Sequence, residues 1–148
     1  MEIKDFDKQF VERTKYIIEN STSIESKYEI TLLVNCLLAL IVLPTERTSN
    51  ISKDGTFKSV VVSKIKHMDV IQVPSDDNKL FRTIKNAISH MHIEIQNKNG
   101  KISEVVFRDK LPNSNCYHTI LKFAPSQLKE FALFVADKHL ERLSANKS

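Results

Sequence analysis

Apolar residues near the start of the chain recur at helical spacing. Within residues 3–18 they stand mostly three, four or seven positions apart, with charged residues between them: Ile3, Phe6, Phe10, Ile17 and Ile18. This spacing predicts an amphipathic helix that ends at the polar residues 20–23. Residues 25–43 are apolar nearly all round in their later turns and stop at Pro44. We therefore predict a second helix there, central to the core and covered on several sides.

The middle of the chain contains a polar connection followed by two further predicted helices. Residues 45–56 are polar and contain an Asp-Gly pair, which favours a loop. Residues 57–73 are rich in β-branched side chains, which favour a strand. Three of the apolar residues in this stretch nevertheless fit a helical stripe: Val61, Ile65 and Met68. We predict a short helix here, and a further helix over residues 77–90, because residues 74–77 have the proline, serine and aspartates of a helix start.

A β-hairpin is predicted after the helix over residues 77–90. The sequence alternates apolar and polar residues on both sides of Asn99-Gly100, which predicts strands over residues 92–96 and 102–107 joined by a tight turn. Residues 110–115 indicate a loop, followed by an apolar stretch around Ile120 and a final helix that begins near Pro125. The core-facing side of that helix is predicted to contain Leu128, Phe131, Ala132, Val135 and Leu143. The predicted fold is mainly α, a bundle of four to five helices with one β-hairpin insertion.

Composition and charge narrow this picture. The 148 residues suit a single domain over residues 1–148, and two glycines and four prolines are too few for a sandwich, a barrel or a glycine-rich phosphate loop. A net charge of +4 permits nucleic-acid binding without requiring it. Cys36 and Cys116 are too few and too distant for a disulfide framework or a zinc site. The longest apolar run, residues 30–43, is too short to span a bilayer, and no signal peptide is evident. We expect a cytoplasmic protein that does not bind a membrane.

The helix predicted over residues 77–90 concentrates the chemistry of the chain. On a helical wheel its apolar residues occupy one face, from about 140° to 260° relative to Arg82. That face contains Leu80, Phe81, Ile84, Ala87, Ile88 and Met91. The other arc contains basic, amide, hydroxyl and imidazole groups: Lys79, Arg82, Lys85, Asn86, Ser89 and His90. Arg82, Asn86 and His90 follow one stripe, each four positions after the last.

This polar face suits phosphodiester cleavage. An imidazole exchanges a proton with a ribose 2′-hydroxyl or a leaving oxygen near neutral pH, and a neighbouring cation stabilises the developing negative charge, so that no metal is required. The alternative is an ordinary solvated helix face or the rim of an interface. The remaining histidines, at positions 67, 118 and 139, stand singly. Cys36 lies among apolar residues, where a thiol is usually inert, and the aspartates at positions 76 and 77 suit helix capping better than metal binding.

The segment KNAISHMHIEI, residues 85–95, resembles the signature of the HEPN superfamily, in which an arginine and an adjacent polar residue precede a histidine. Asn86 and His90 match this signature, whereas Lys85 stands where the family has arginine, and so lacks its planar fork for phosphate. Residues 28–44 are similar to the apolar second helix of small single-domain HEPN proteins encoded on plasmids and in defence loci. The hairpin and the last amphipathic helix also fit that group.

The resemblance implies a homodimer in which two motif helices face each other and form one RNA cleft. In that arrangement His90 acts as general base or acid, Asn86 orients the RNA backbone, and Lys85 contacts phosphate. Three further side chains are candidates for RNA binding: Lys79, Arg82 and His92. An ion pair with Asp76 or Asp77 is the alternative for Arg82, and a place on the surface of the hairpin is the alternative for His92.

Three functional hypotheses remain open from the sequence. The first is a metal-independent endoribonuclease without a cofactor, acting in phage defence or in a toxin system that includes an antitoxin or other protein partner. The second is a catalytically inactive HEPN-like module that binds RNA, a nucleotide or a protein. The third is a helical interaction module without a nucleic-acid role, favoured by the modest charge and by the lack of clustered aromatic residues near the basic face.

Overall fold

The computed structural model describes residues 3–20, 27–42, 55–68, 70–71, 77–110 and 117–145. In chain order its elements are α1 (Ile3–Glu19), α2 (Lys27–Leu37) with a π-helical turn (Leu38–Val42), α3 (Gly55–His67), α4 (Asp77–Ser89), β1 (Ile93–Lys98), β2 (Lys101–Lys110), β3 (Tyr117–Phe123) and α5 (Pro125–Ala145). The fold is therefore mainly helical, with one small antiparallel sheet between α4 and α5. No described helix combines the length and the apolar character needed to cross a membrane.

The helical predictions for the first half of the chain are confirmed. The valine-rich stretch, whose composition also favoured a strand, forms helix α3. Val61 and Ile65, four positions apart, are both fully buried on one face of this helix. This helix begins at Gly55, so the prediction of a loop was wrong for residues 55 and 56, while residues 45–54 lie outside the described part of the chain. Residues 70 and 71 are not helical, and α3 is shorter than the valine-rich stretch suggested.

The core is centred on α2, its π-helical turn and α5. The fully buried residues of α2 and its π-helical turn include Leu33, Leu37, Leu40 and Ile41. The predicted core-facing side of α5 is confirmed at four buried residues: Leu128, Phe131, Ala132 and Val135. The side chain of Leu143 lies outside the described part. Cys36 is buried as expected, and this burial raises the pKa of its thiol, which keeps it protonated and unreactive.

His139 on α5 is a buried structural histidine. Its Nε2 contacts the carbonyl oxygen of Leu40, and its ring lies 4.9 Å from the ring of Phe57, centre to centre. Leu40 is in the last turn of its helix, where carbonyl oxygens have no partner within the helix. His139 therefore supplies a partner for a helix end inside the core, and it belongs to packing rather than to a site.

The sheet has three strands in the order β1-β2-β3, all antiparallel. The predicted hairpin is confirmed, with Asn99 at φ 55° and Gly100 at φ 79°, as a two-residue turn of type I′ requires. The third strand occupies the apolar stretch around residue 120, to which the sequence assigned no element. Of the predicted loop, residue 110 is the last residue of β2, and residues 111–115 lie outside the described part of the chain. The third strand forms because Leu121 and Phe123 both point inward and stand opposite Phe107 and Val105 of β2.

Candidate nucleic-acid interface on helix α4

Helix α4 separates its two faces as the wheel predicts, except that Met91, predicted on the core face, follows the end of the helix and is exposed. The inward face is fully buried at Leu80, Ile84, Ala87 and Ile88, and it packs against β2 and β3. On the opposite face Lys79, Arg82, Ser89 and His90 are exposed, while Lys85 and Asn86 are half-buried. The structure therefore brings the six polar candidates of α4 to the side of the helix that faces away from the core.

A buried carboxylate of the sheet contacts two side chains of this polar face. Asp109, near the end of β2, has a side chain only 8% exposed. Its Oδ1 accepts a long hydrogen bond of 3.5 Å from Nδ2 of Asn86, and its Oδ2 lies 3.6 Å from Nε of Arg82. Arg82 and Asn86 are one helical turn apart, so a single carboxylate reaches both. This arrangement couples the strand to two of the predicted site residues.

Strand alternation explains why Asp109 faces α4. Residues two apart along a strand point to the same side of the sheet, so Asp109 shares a face with Val105 and Phe107, both fully buried. That face of the sheet packs on α4. Asp109 was not predicted as a site residue, because the predicted strand ends at residue 107. The sequence signal that could have identified it is its position: a carboxylate two residues after an inward-facing phenylalanine, in a strand that follows an Asn-Gly turn.

The C-terminal end of α4 has a Schellman motif. The backbone N–H of His92 donates to the carbonyl of Ala87 at 2.8 Å, and that of Met91 donates to the carbonyl of Ile88 at 3.3 Å. Met91 takes the left-handed position of this motif, with φ 56°, which is unusual for a residue with a side chain. The motif ends α4 at Ser89 and turns the chain toward β1, which keeps the imidazole of His90 exposed.

His92 lies beside His90. The centres of the two imidazole rings are 5.8 Å apart, with 31° between the ring planes. The carbonyl oxygen of His92 accepts a hydrogen bond of 3.0 Å from the backbone N–H of Arg108, which extends the pairing of β1 and β2 by one residue. Because His92 is half-buried and tied to the sheet, it is not a freely exposed hairpin residue. The two histidines form one cluster at the end of the polar face.

The predicted cations differ in their surroundings. The alternative pairing of Arg82 with Asp77 is wrong, since Asp77 contacts Nζ of Lys66 on α3 and Arg82 contacts Asp109. Asp76 lies outside the described residues. Within the described part of the chain, no carboxylate lies within ion-pair distance of Lys85. The charge of Lys85 is therefore not neutralised by any carboxylate in that part.

Angular positions along α4 separate Lys85 from His90. At 100° per residue, Arg82, Asn86 and His90 lie within about 80° of one another, whereas Lys85 is about 140° from His90. Along the helix axis Arg82 and His90 are about 12 Å apart. The stripe therefore presents an imidazole at one end and a guanidinium at the other, with Lys85 on its flank.

Other histidines do not join this group. His67 ends α3, where its Nδ1 lies 2.7 Å from the carbonyl oxygen of Ser63, and His139 is in the core. Residues 116 and 118 lie outside the part of the chain in which side chains are described. Across the described residues, no three histidine, cysteine or carboxylate side chains are placed so as to hold a metal ion together.

Comparison with known proteins gives the family. The family model described as HEPN pEK499 p136 matches residues 1–145. Comparison with curated proteins and with solved structures gives no match. The match covers nearly the whole chain, and the helical fold with its β insertion agrees with the resemblance inferred from residues 85–95. The protein belongs to the HEPN pEK499 p136 family and is a HEPN-type module.

Proposed function

We propose that the protein is a metal-independent endoribonuclease whose cleft is formed by the polar faces of α4 from two subunits. The observation that carries the proposal is the cluster at the end of α4. His90 is exposed there, the ring of His92 is 5.8 Å away, and Asn86 lies one turn before. Imidazoles are the side chains best suited to proton transfer at neutral pH, and two neighbouring imidazoles can accept and donate protons in one reaction.

The reaction is transesterification within the RNA chain. His90 takes the proton of a ribose 2′-hydroxyl, and the resulting oxygen attacks the adjacent phosphorus. The bond to the 5′-oxygen of the next nucleotide breaks, and that oxygen receives a proton from a second imidazole. The products are a 2′,3′-cyclic phosphate and a 5′-hydroxyl. Cations near the phosphate stabilise the charge that develops in the transition state.

The angular separation of Lys85 and His90 supports a homodimer. Because these two residues of one helix diverge by about 140°, one subunit does not present both to the same phosphate. A two-fold axis through the polar face of α4 brings a second copy of each side chain to the cleft and buries one self-complementary patch. In this arrangement Lys85 from one subunit serves the phosphate at which the partner's histidine acts.

The first test removes the imidazole of His90. His90→Ala should abolish RNA cleavage while leaving RNA affinity nearly intact, because attraction to phosphate comes mainly from lysine and arginine side chains. His67→Ala is the matched control, since His67 is also an exposed histidine at the end of a helix, and it should keep full activity. Equal activity of the two variants would exclude His90 as the proton-transfer group.

The second test concerns Lys85. Lys85→Ala should weaken both RNA binding and cleavage, because it removes a charge that no described carboxylate neutralises. Lys85→Arg introduces the planar fork that contacts phosphate with two donors and should keep or raise activity. The comparison is made at one fixed salt concentration, since phosphate contacts are strongly salt-dependent.

The second candidate function is a catalytically inactive module that binds RNA, a nucleotide or a protein through the same surface. The lysine at position 85 favours it, because lysine lacks the fork of arginine. If neither the wild type nor Lys85→Arg cleaves RNA while both bind it, this function replaces the first. For an active nuclease, we propose a role in phage defence or in a toxin system, where a protein partner restrains the cleavage of cellular RNA.

A further inference from the structure

The buried carboxylate of Asp109 has a role that neither its strand nor the core explains. We infer that Asp109 is a positioning residue, which holds Arg82 and Asn86 of α4 in the orientation that contacts RNA. The inference rests on the proposed function for its effect on catalysis, but its effect on RNA binding applies equally to an inactive binding module. Its substrate class is single-stranded RNA bound by ribose and phosphate contacts along the stripe of α4.

The charge of Asp109 is buried. Placing a carboxylate where only 8% of it reaches solvent costs free energy unless hydrogen bonds and an opposite charge compensate. The two preceding inward positions of β2 have valine and phenylalanine, which fill the same layer at no such cost. An apolar residue at position 109 would serve the core at least as well. The carboxylate is therefore better explained by its partners, both of which belong to the polar face of α4.

The contact with Arg82 leaves most of its guanidinium available. The ion pair is made through Nε, which is one of the five N–H donors of the group. The other four donors are at the terminal nitrogens, on a side chain that is 56% exposed. Asp109 thus restrains the stem side of the guanidinium and lets the fork reach a phosphate. Since Arg82 is about 12 Å from His90 along α4, that phosphate flanks the scissile one.

The contact with Asn86 decides which end of its amide faces the cleft. A carboxylate only accepts hydrogen bonds, so the NH2 group of Asn86 must turn toward Asp109. The carbonyl oxygen of the amide is then turned away from the carboxylate. An acceptor one turn before His90 suits the 2′-hydroxyl of a neighbouring ribose, which donates its proton to that oxygen while the attacking 2′-hydroxyl gives its proton to His90. Asp109 therefore gives the stripe a defined order of phosphate-binding fork, acceptor and imidazole.

The experiment compares two isosteric substitutions, Asp109→Asn and Asp137→Asn. Asp137 on α5 makes an ion pair of 2.6 Å with Lys15 on α1 and is half-exposed, so its replacement removes an inter-element ion pair away from α4. Cleavage of a single-stranded RNA gives kcat and KM. An oligonucleotide of the same sequence with 2′-O-methyl groups at the cleaved positions only, which is not cleaved and keeps the other 2′-hydroxyls, gives affinity. The free energy of unfolding is measured for each variant.

Asp109→Asn is expected to lower kcat by about 10-fold or more, because small displacements of positioned groups have large effects on rate. It should also weaken the binding of the 2′-O-methyl oligonucleotide by several-fold, while Asp137→Asn changes neither quantity. In an Arg82→Ala, Asn86→Ala background, Asp109→Asn should have no further effect on kcat or affinity, since both partners are absent. A structural role alone would lower the folded fraction without this dependence on the two partners.

Two results would overturn the inference. One is an Asp109→Asn variant that cleaves and binds like the wild type. The other is a loss that persists in full in the double-alanine background. Failure of the proposed function is distinguishable, because a wild type that binds RNA without cleaving it still shows the affinity loss on Asp109→Asn. A wild type that binds no RNA overturns both proposals.

Discussion

Two buried threonines differ in how their hydroxyl groups are satisfied. Thr14 on α1 is 7% exposed and donates to the carbonyl oxygen of Phe10 at 2.8 Å. Thr83 on α4 is fully buried, and its hydroxyl has no hydrogen-bond partner among the described residues. A buried hydroxyl without a partner loses its hydration and gains nothing in return. The same substitution at these two threonines is therefore expected to change the free energy of unfolding in opposite directions.

Thr83→Val should raise the free energy of unfolding by about 1 kcal/mol, because it removes an unsatisfied hydroxyl and keeps the shape of the side chain. Thr14→Val is the control and should lower it by about 1 kcal/mol, since it removes a hydrogen bond. Urea unfolding followed by circular dichroism measures both changes. A destabilised Thr83→Val variant would mean that the hydroxyl has a partner in solution.

Met91 stores strain next to the histidine cluster. Its left-handed backbone costs about 1 kcal/mol for a residue with a side chain, and its side chain is 62% exposed, so little burial offsets this. Met91→Gly should therefore stabilise the protein by about 0.5 to 1 kcal/mol, as glycine is the usual residue at this position of the motif. Ser89→Gly, two residues earlier within α4, should instead destabilise it. Equal destabilisation by the two glycines would contradict the Schellman geometry.

At the level of elements, the helices and turns that depend on local periodicity and turn chemistry could be predicted from the sequence. The bounds of α1 and α4 and the Asn99-Gly100 hairpin follow from spacing and turn chemistry alone. The strand β3 did not, because its inward residues Leu121 and Phe123 are recognisable only once β2 is present to pair with them. The ion pair of Arg82 was missed for the same reason, since its partner comes from a strand 27 positions later in the chain.

The stability of the protein should decrease when a single methyl group is added at Gly100 of the hairpin turn. Gly100 has φ 79°, and an added Cβ would meet no atom within 4 Å, so any penalty comes from the backbone and not from a clash. Gly100→Ala is expected to lower the free energy of unfolding by about 1 kcal/mol. Thermal or urea unfolding measures it. An unchanged stability would show that the turn relaxes to another type without cost.

At the scale of the whole molecule, the proposed RNA cleft requires two chains. The divergence of Lys85 and His90 on α4 means that a single subunit offers an incomplete set of groups to one phosphate. Sedimentation equilibrium at micromolar concentration should give twice the 17.0 kDa of one chain. A monomer at these concentrations would contradict the shared cleft. The sequence suggested this dimer only through the resemblance of residues 85–95, because a self-complementary patch has no local periodic pattern of its own.

The most direct test of the central claim is the chemistry of the RNA ends after cleavage. Wild-type protein is incubated with a single-stranded RNA in excess EDTA, beside the same RNA with 2′-deoxy nucleotides at the cleaved positions. The account predicts fragments with 2′,3′-cyclic phosphate and 5′-hydroxyl ends, no cleavage of the 2′-deoxy substrate, and no cleavage by His90→Ala. Cleavage that EDTA abolishes, that leaves 5′-phosphate ends, or that survives the loss of the 2′-hydroxyl would contradict it.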